Sequence, residues 1–327
     1  MNIINNIKLN YSLKTLNQCI ENKDFTDFEK NFNQLKKLNE KIAKKYLKYN
    51  CHDFIENSEL DFLFNNNTVW VNSFIKKDTL PINNIISKIL ESSSKTSGTE
   101  CFDFYTKVLS ILDEDETNEF TNLNDIFLKS HYYFQLLINL KNPGIKIVNT
   151  SSAFFEYNKS IYFTHQKLTK CFYYVIKHPY QIFQDLKNEG KESGEAIRLI
   201  CNLDNRVNII ELEKNGTRIS CPENRKSWSV NVSSWTNQNV ESSLRGLIIK
   251  YDDLFTRTED LFFDIAGSMK EAGLLLDIKP LEISSLASSF NETKIDYSDI
   301  QISNKEKKII DRECGETIEK FFSNDQI

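Results

Sequence analysis

No stretch of this sequence is apolar for the roughly 18 residues that a membrane-spanning helix needs. The opening MNIINNIKLN has no apolar centre of the kind a secretory signal carries. No basic tract of five or more residues occurs, and 46 acidic against 41 basic side chains give a net charge of −5. A chain of that charge excludes duplex nucleic acid as a partner on electrostatic grounds. There is no CxxC: the seven cysteines are odd in number and widely scattered, as are the four histidines. Such spacing fits neither a disulfide framework nor a zinc site, so the cysteines read as reduced, buried thiols of a cytoplasmic protein. Internal repeats and low-complexity tracts are also missing.

What is present is material for a large core. Of 327 residues 40% are hydrophobic, with 23 Phe and 13 Tyr, enough for one large α/β domain with an accessory segment or for two domains. Residues 1–66 read as a helical N-terminal extension. A short helix is expected over Leu13–Ile20, and Phe25, Phe28, Phe32, Leu35, Leu38 and Ile42 mark a longer one of about 25 residues begun by Asp24. These helices either pack on the main domain or offer a face to an oligomer or protein partner.

From residue 67 to 327 the pattern changes to strands alternating with helices. The segment Thr169–Leu186, TKCFYYVIKHPYQIFQDL, shows it best. Cys171–Ile176 is a short aromatic and β-branched run, Lys177-His178-Pro179 breaks it, and Ile182, Phe183 and Leu186 resume at helical spacing. Further strands are predicted at Thr68–Phe74, Ile145–Val148 and Leu247–Tyr251, with helices at Ile82–Leu90, through Leu261, Ile265 and Met269, and over Asn304–Phe322. Residues 282–301 read as polar and irregular. Four strands separated by helices predict a mainly parallel sheet flanked by helices, with ligands at the carboxyl ends of the strands near Lys177 and His178.

The order of these pieces resembles the compact bacterial type of sulfotransferase, which uses 3′-phosphoadenosine 5′-phosphosulfate. WVNSFIKKDTLP at Trp70–Pro81 stands where that family has WLASYPKSGNTW, and VNTS at Val148–Ser151 where it has VKTH. YVIKHPYQIFQD at Tyr174–Asp185 matches YIVRDPRDVAVS. SWSVNVSSW at Ser227–Trp235 and IKYDDL at Ile249–Leu254 match GSWSEHVRSW and VRYEDL. The resemblance covers roughly residues 68–322. It implies a three-layer, P-loop-like α/β fold in which a loop lysine and backbone amides hold the phosphosulfate, a histidine is the base, and an arginine and a serine bind the 3′-phosphate.

Carried over residue by residue, the resemblance places Lys76, Lys77, Thr79, Lys177 and Asp185 at the donor, with Lys76 and Ser151 at the reacting centre. Most of these depart from the family. Asp78 replaces the loop glycine, adding a carboxylate and a Cβ where backbone approaches phosphate. Ser151 replaces the histidine and cannot take up a proton near neutral pH, Lys177 lacks the guanidinium fork, and Asp185 repels phosphate. The C-terminal Arg-Lys-Gly that closes over the nucleotide in the family has no counterpart in residues 282–303. The expectation is therefore a pseudoenzyme, a degenerate sulfotransferase fold kept for binding a protein or other ligand. An active sulfotransferase, acting on an unknown hydroxyl or amine, and a nucleotide-binding protein without transfer are the alternatives.

Among other candidates, Lys95–Thr99 (KTSGT) imitates a phosphate loop but has no strand before it, and reads as a polar loop ahead of a helix from Phe102. His178 reads as a partly exposed turn residue, His165 as surface or strand-edge packing, His131 as helix packing. Asp252 and Asp253 read as a helix cap, and Trp228 and Trp235 as one buried helix face. No metal site is expected.

Overall fold

The computed structural model describes residues 3–21, 25–39, 43, 46, 67–93, 99–111, 131–141, 144–158, 161–203, 208–214, 217–274, 278–291 and 301–323. Its strands are β1 (Thr68–Ser73), β2 (Glu100–Asp103), β3 (Lys146–Thr150), β4 (Glu156–Asn158), β5 (Ile161–Tyr162), β6 (Cys171–Ile176), β7 (Asn208–Lys214), β8 (Thr217–Glu223) and β9 (Gly246–Lys250). The first helices are α1 (Ile3–Glu21), α2 (Phe25–Leu38), α3 (Leu80–Ser92), α4 (Phe104–Ile111), α5 (His131–Lys141), α6 (Pro179–Asn188) and α7 (Ser193–Cys201). They are followed by α8 (Trp228–Trp235), α9 (Gln238–Leu244), α10 (Asp253–Thr256), α11 (Thr258–Glu271), α12 (Pro280–Ser288) and α13 (Asn304–Phe322).

Five strands form one parallel sheet in the order β2-β3-β1-β6-β9, while β4-β5 and β7-β8 are separate antiparallel hairpins. The inner strands are buried along their whole length, which is why their sequences are continuous apolar runs without alternation. Successive side chains still divide between two cores. Val69, Val71, Ile147, Tyr173 and Val175 meet α3 and α11 on one face; Trp70, Val148, Phe172, Tyr174 and Ile176 meet the aromatic core under α4–α8 and α13 on the other. At the pair Phe172↔Gly246 the phenylalanine ring occupies the place of a side chain on β9. A Cβ at Gly246 would come within 1.9 Å of that ring, so only glycine admits it.

Several sequence expectations are corrected. A fifth parallel strand, β2, precedes α4, whose helix starts at Phe104, not at Phe102. This edge strand has only four residues, ECFD, half open to solvent and ended by acids, and it exists because β3 pairs with it. Residues 95–98 of the phosphate-loop imitation lie outside the described residues. Part of the stretch read as irregular is α12, begun by Pro280 and capped by Glu282, whereas 292–300 lie outside the described residues. At the N-terminus α1 starts ten residues before the expected Leu13, and most of 40–66 lies outside the description. Leu16 and Leu35 of the two N-terminal helices are buried in the same core cluster as the sheet's aromatic face.

The strand order places a topological switch between β1 and β6. The chain leaves β1 for β2 and β3 on one side and then crosses to β6 on the other. The helix after β1, α3, packs on one face and the helix after β6, α6, on the opposite face. Connections that part in this way open a crevice at the carboxyl ends of the two strands, the usual ligand position in an open α/β sheet.

Candidate functional site at the carboxyl ends of β1 and β6

Two connections face each other across this crevice. After β1 the chain makes a single 3₁₀ turn, Lys76–Thr79, and enters α3 with Pro81 in its first turn. The turn has no glycine to widen it: Asp78 N–H bonds to Ile75 O at 2.9 Å and the Thr79 hydroxyl donates to Lys76 O at 2.7 Å. Its polar groups are thus spent on closing itself. After β6 the chain passes Lys177 and His178 into α6, which His178 caps by accepting Tyr180 N–H at 3.2 Å.

Lys177 sits at the centre, with 1% of its side chain exposed. Its ammonium lies 3.1 Å from Asp78 Oδ1 and 2.5 Å from Asp185 Oδ2, and 4.1 Å above the Tyr251 ring. Both carboxylates are almost fully buried. An ammonium enclosed in this way has two anions and an aromatic face as neighbours, an arrangement that replaces water shells and leaves no open side toward a ligand. The other two lysines of the expected donor site are paired as well. Lys76 reaches Asp103 at 2.6 Å, and Lys77 pairs with Glu189 and stands 3.9 Å from Asp185.

The structure thus brings Lys77, Asp78, Lys177 and Asp185 together, and Thr79 into the turn beneath them. Lys76 turns instead to β2, a strand the sequence did not reveal. Asp185 is buried one and a half turns into α6, where its carboxylate faces the Lys177 ammonium.

Two acids and one ammonium leave excess negative charge, and this falls on Asp78. Burial, only partly offset by Lys177 and reinforced by Asp185, pushes its carboxyl up to about 6. Asp78 Oδ2 is buried without a hydrogen-bond partner among the protein atoms. A carboxyl whose value in the fold lies above its unfolded one holds its proton more tightly when folded. Its effect on stability is therefore favourable below about pH 4 and lost as pH rises to about 6, by on the order of 2–3 kcal/mol. Asp78→Asn keeps the shape and one acceptor for Lys177 while removing the charge. We expect urea midpoints of the parent to fall between pH 4 and 6.5, and those of Asp78→Asn to lose this component of the slope. An unchanged slope in the variant would place its origin elsewhere.

A second polar cluster surrounds Ser151, the residue at the expected base position. Its hydroxyl donates to the carboxylate of Glu223, which also pairs with Arg225 at 3.0 Å. Asn231 ties this cluster to the sheet: its amide donates to Ser151 O at 2.9 Å and Arg225 O at 2.7 Å, and its oxygen accepts the Tyr174 hydroxyl at 2.8 Å. The Arg225 guanidinium lies 5.6 Å from the Phe74 ring centre, beside the end of β1. Sequence reasoning missed Glu223 and Arg225 because β8, which delivers them, was not predicted. The only local signal was the acid–base pair in PENRKS just ahead of Ser227.

Trp228 and Trp235 are fully buried on α8, as their spacing implied, and donate from Nε1 to Lys177 O at 3.1 Å and Ser152 O at 2.9 Å. Three readings of single residues are refined. His178 is buried, not partly exposed, because its ring packs 4.9 Å from Phe322 of α13. His131 is packing, as expected: it stacks near Phe104 and Phe163, and burial drives its imidazole down to about 3, so it stays neutral. Asp252 begins α10 without a side-chain cap and instead accepts from Gln181 of α6 at 3.3 Å.

A separate cleft of about 540 Å³ lies near the starts of β6 and β9, lined by Phe154, Tyr162, His165 and Asn237 among others. None of the expected site residues reaches it. Among the described residues no cluster of His, Cys, Asp and Glu is arranged to hold a metal ion, and no helix is long and apolar enough to cross a membrane. A scan of the sequence against known protein-family models finds no match, and a comparison with curated proteins finds no similar sequence.

Proposed function

We propose that this chain is a catalytically impaired, sulfotransferase-like protein whose donor site has been closed from within, and whose fold serves to bind a protein or other ligand. One observation carries this reading: Lys177, the cation expected at the 3′-phosphate, is sealed between Asp78 and Asp185. A carboxylate at each position holds the charge that a phosphate would otherwise supply. Admitting 3′-phosphoadenosine 5′-phosphosulfate would require breaking a buried ion pair and placing a phosphate beside two carboxylates, both strongly unfavourable. The three-layer, P-loop-like fold is part of the proposal; the helices on both faces of a parallel sheet and the switch point at β1 and β6 support it. Retained polarity supports binding: Ser73 Oγ and both amide atoms of Asn83 are buried near the crevice without protein partners.

One observation favours the alternative of an active sulfotransferase. The Glu223 carboxylate at Ser151 is a base where the serine alone could not be one. In that reading Lys76 and Lys177 would hold the donor, with Lys177 released from its two carboxylates.

Calorimetric titration with 3′-phosphoadenosine 5′-phosphate separates the two. For the parent chain no heat is expected at millimolar ligand, at low or moderate salt. In the double variant Asp78→Gly, Asp185→Ser, which removes both carboxylates from Lys177, measurable binding that weakens with salt is expected. Micromolar binding by the parent, lost in Lys76→Ala, would overturn the closed-site reading in favour of the enzyme. Absence of binding in a folded double variant would count against the sulfotransferase-like ancestry itself.

A further inference from the structure

The cleft near the starts of β6 and β9 is built from two sides. One wall is the β4–β5 hairpin, which α5 anchors: Tyr162 N–H donates to the Tyr132 hydroxyl at 3.0 Å. The other comes from the end of α8 and from α9, whose Val240 and Leu244 form a buried apolar floor. A volume of about 540 Å³ is within the range of pockets that enclose a small organic molecule. The aromatic part of the wall is fixed by its own packing. Phe154 N–H donates to the Ser234 hydroxyl at 2.8 Å, and its ring meets Trp235 edge-on at 5.3 Å. Tyr162 stacks on Phe154 at 6.1 Å with the planes 26° apart, and keeps 39% of its surface exposed.

The hydroxyls around the cleft are committed to the protein. Ser234 donates to Asn231 O at 2.7 Å, Ser243 to Val240 O at 3.2 Å, and Thr164 to Gln135 Oε1 at 2.6 Å. Glu156 is different. It pairs directly with Tyr162 across the hairpin, so its carboxylate and that ring leave the same face. Among the described residues this carboxylate has no hydrogen bond or ion pair, and no lysine or arginine lines the cleft. His165 accepts Lys167 N–H on Nδ1 at 3.1 Å, so its neutral ring carries the hydrogen on Nε2 and adds no second anion.

We propose that this cleft is a binding site for a small, flat organic cation, a protonated arylalkylamine being the class that fits. The ring lies against Tyr162 over the floor of Val240 and Leu244, and the ammonium meets the Glu156 carboxylate. A carboxylate beside an aromatic face attracts a cation twice, by its charge and by the ring quadrupole, and repels an anion of the same shape. None of the residues at the closed donor site lines the cleft, so the two proposals stand or fall separately.

Calorimetric titration of the full chain with tryptamine and with indole-3-propionate, at neutral pH and low salt, tests the assignment. The two probes share a ring and differ in the sign of their charge. Tryptamine is expected to bind with submillimolar affinity and indole-3-propionate at least tenfold more weakly, with the preference shrinking as salt is raised. Glu156→Gln, at an exposed position of the hairpin, should weaken tryptamine fivefold or more and bring the two probes together. Ser243→Trp fills the cleft from an exposed position on α9 and should abolish tryptamine binding. No heat with tryptamine at millimolar concentration overturns the proposal. So does equal binding of the two probes by the parent, a preference that Glu156→Gln leaves unchanged, or tryptamine binding that survives Ser243→Trp.

Discussion

Lys177→Met is expected to lower the unfolding free energy by about 3–5 kcal/mol, the scale for breaking a buried ion pair from one side. Methionine fills nearly the same volume and keeps contact with the Tyr251 face, so the loss isolates charge from packing. What remains is Asp78 and Asp185, 98% and 97% shielded in their side chains, with only the Lys77 ammonium 3.9 Å from Asp185 left beside them. The cost must depend on pH. Asp78 already holds its proton up to about pH 6 in the parent, and without Lys177 the proton would be held still more tightly. Denaturant midpoints of parent and variant should therefore approach each other toward pH 4–5 and diverge above pH 7. Lys177→Met combined with Asp78→Asn should regain part of the loss at pH 8, because one uncompensated charge is less costly than two. A loss below about 1 kcal/mol at pH 8 would mean that the triad is hydrated, and would reopen the crevice to an anion.

Trp235→Ala is expected to cost about 3–5 kcal/mol, for reasons of packing. The indole is fully buried and meets Phe154 at 5.3 Å, Phe163 at 5.4 Å, Phe172 at 5.1 Å and Tyr174 at 6.2 Å. These rings come from the loop after β3, from the approach to β6 and from β6 itself, so no single neighbour can move into the void without disturbing another. The truncation also strands Ser152 O, which has Asn72 Nδ2 at 2.9 Å as its second donor and so is not left wholly unpaired. Trp235→Phe separates the two contributions: it keeps a ring and loses the donor, and about 1–2 kcal/mol is expected. Chemical denaturation followed by Trp fluorescence reads both variants. An alanine variant within 1 kcal/mol of the parent would mean that α8 does not seat on β6 as described.

The two predictions mark the boundary between what is local and what is not. Hydrophobic runs and helical spacing depend on a residue and its near neighbours. The strand Cys171–Ile176, the break at Lys177-His178-Pro179 and the helix after it are accordingly legible in the chain, as is the buried face Trp228–Trp235. Strands with too few apolar residues are not. β2 is ECFD, and nothing in those four residues outweighs a turn until β3 offers its edge; β7, NIIELEK, mixes charges among its apolar residues and β8, TRISCPE, holds an arginine and a proline, which compete with the strand signal. α12 shows only a starting proline within a polar stretch, and its burial comes from Ile283 and Ala287 against α11 and α3.

At the site the division is sharper. The sequence by itself determined which charges exist: at the positions that the proposed sulfotransferase likeness assigns, Asp78 stands for a glycine, Lys177 for an arginine and Ser151 for a histidine. These identities already argued against a working donor site, because side-chain chemistry is carried by each residue wherever it lies. Only the tertiary structure decided how the charges are compensated. Asp78 and Lys177 are 99 positions apart, and Ser151 and Glu223 are 72 apart. Pairings of that kind follow from strand order, since β1 and β6 are neighbours in the sheet although β2 to β5 intervene in the chain. The energy of an ion pair depends on distance and dielectric, which are properties of the folded state; the sequence supplies the charges, and burial gives their meeting its weight.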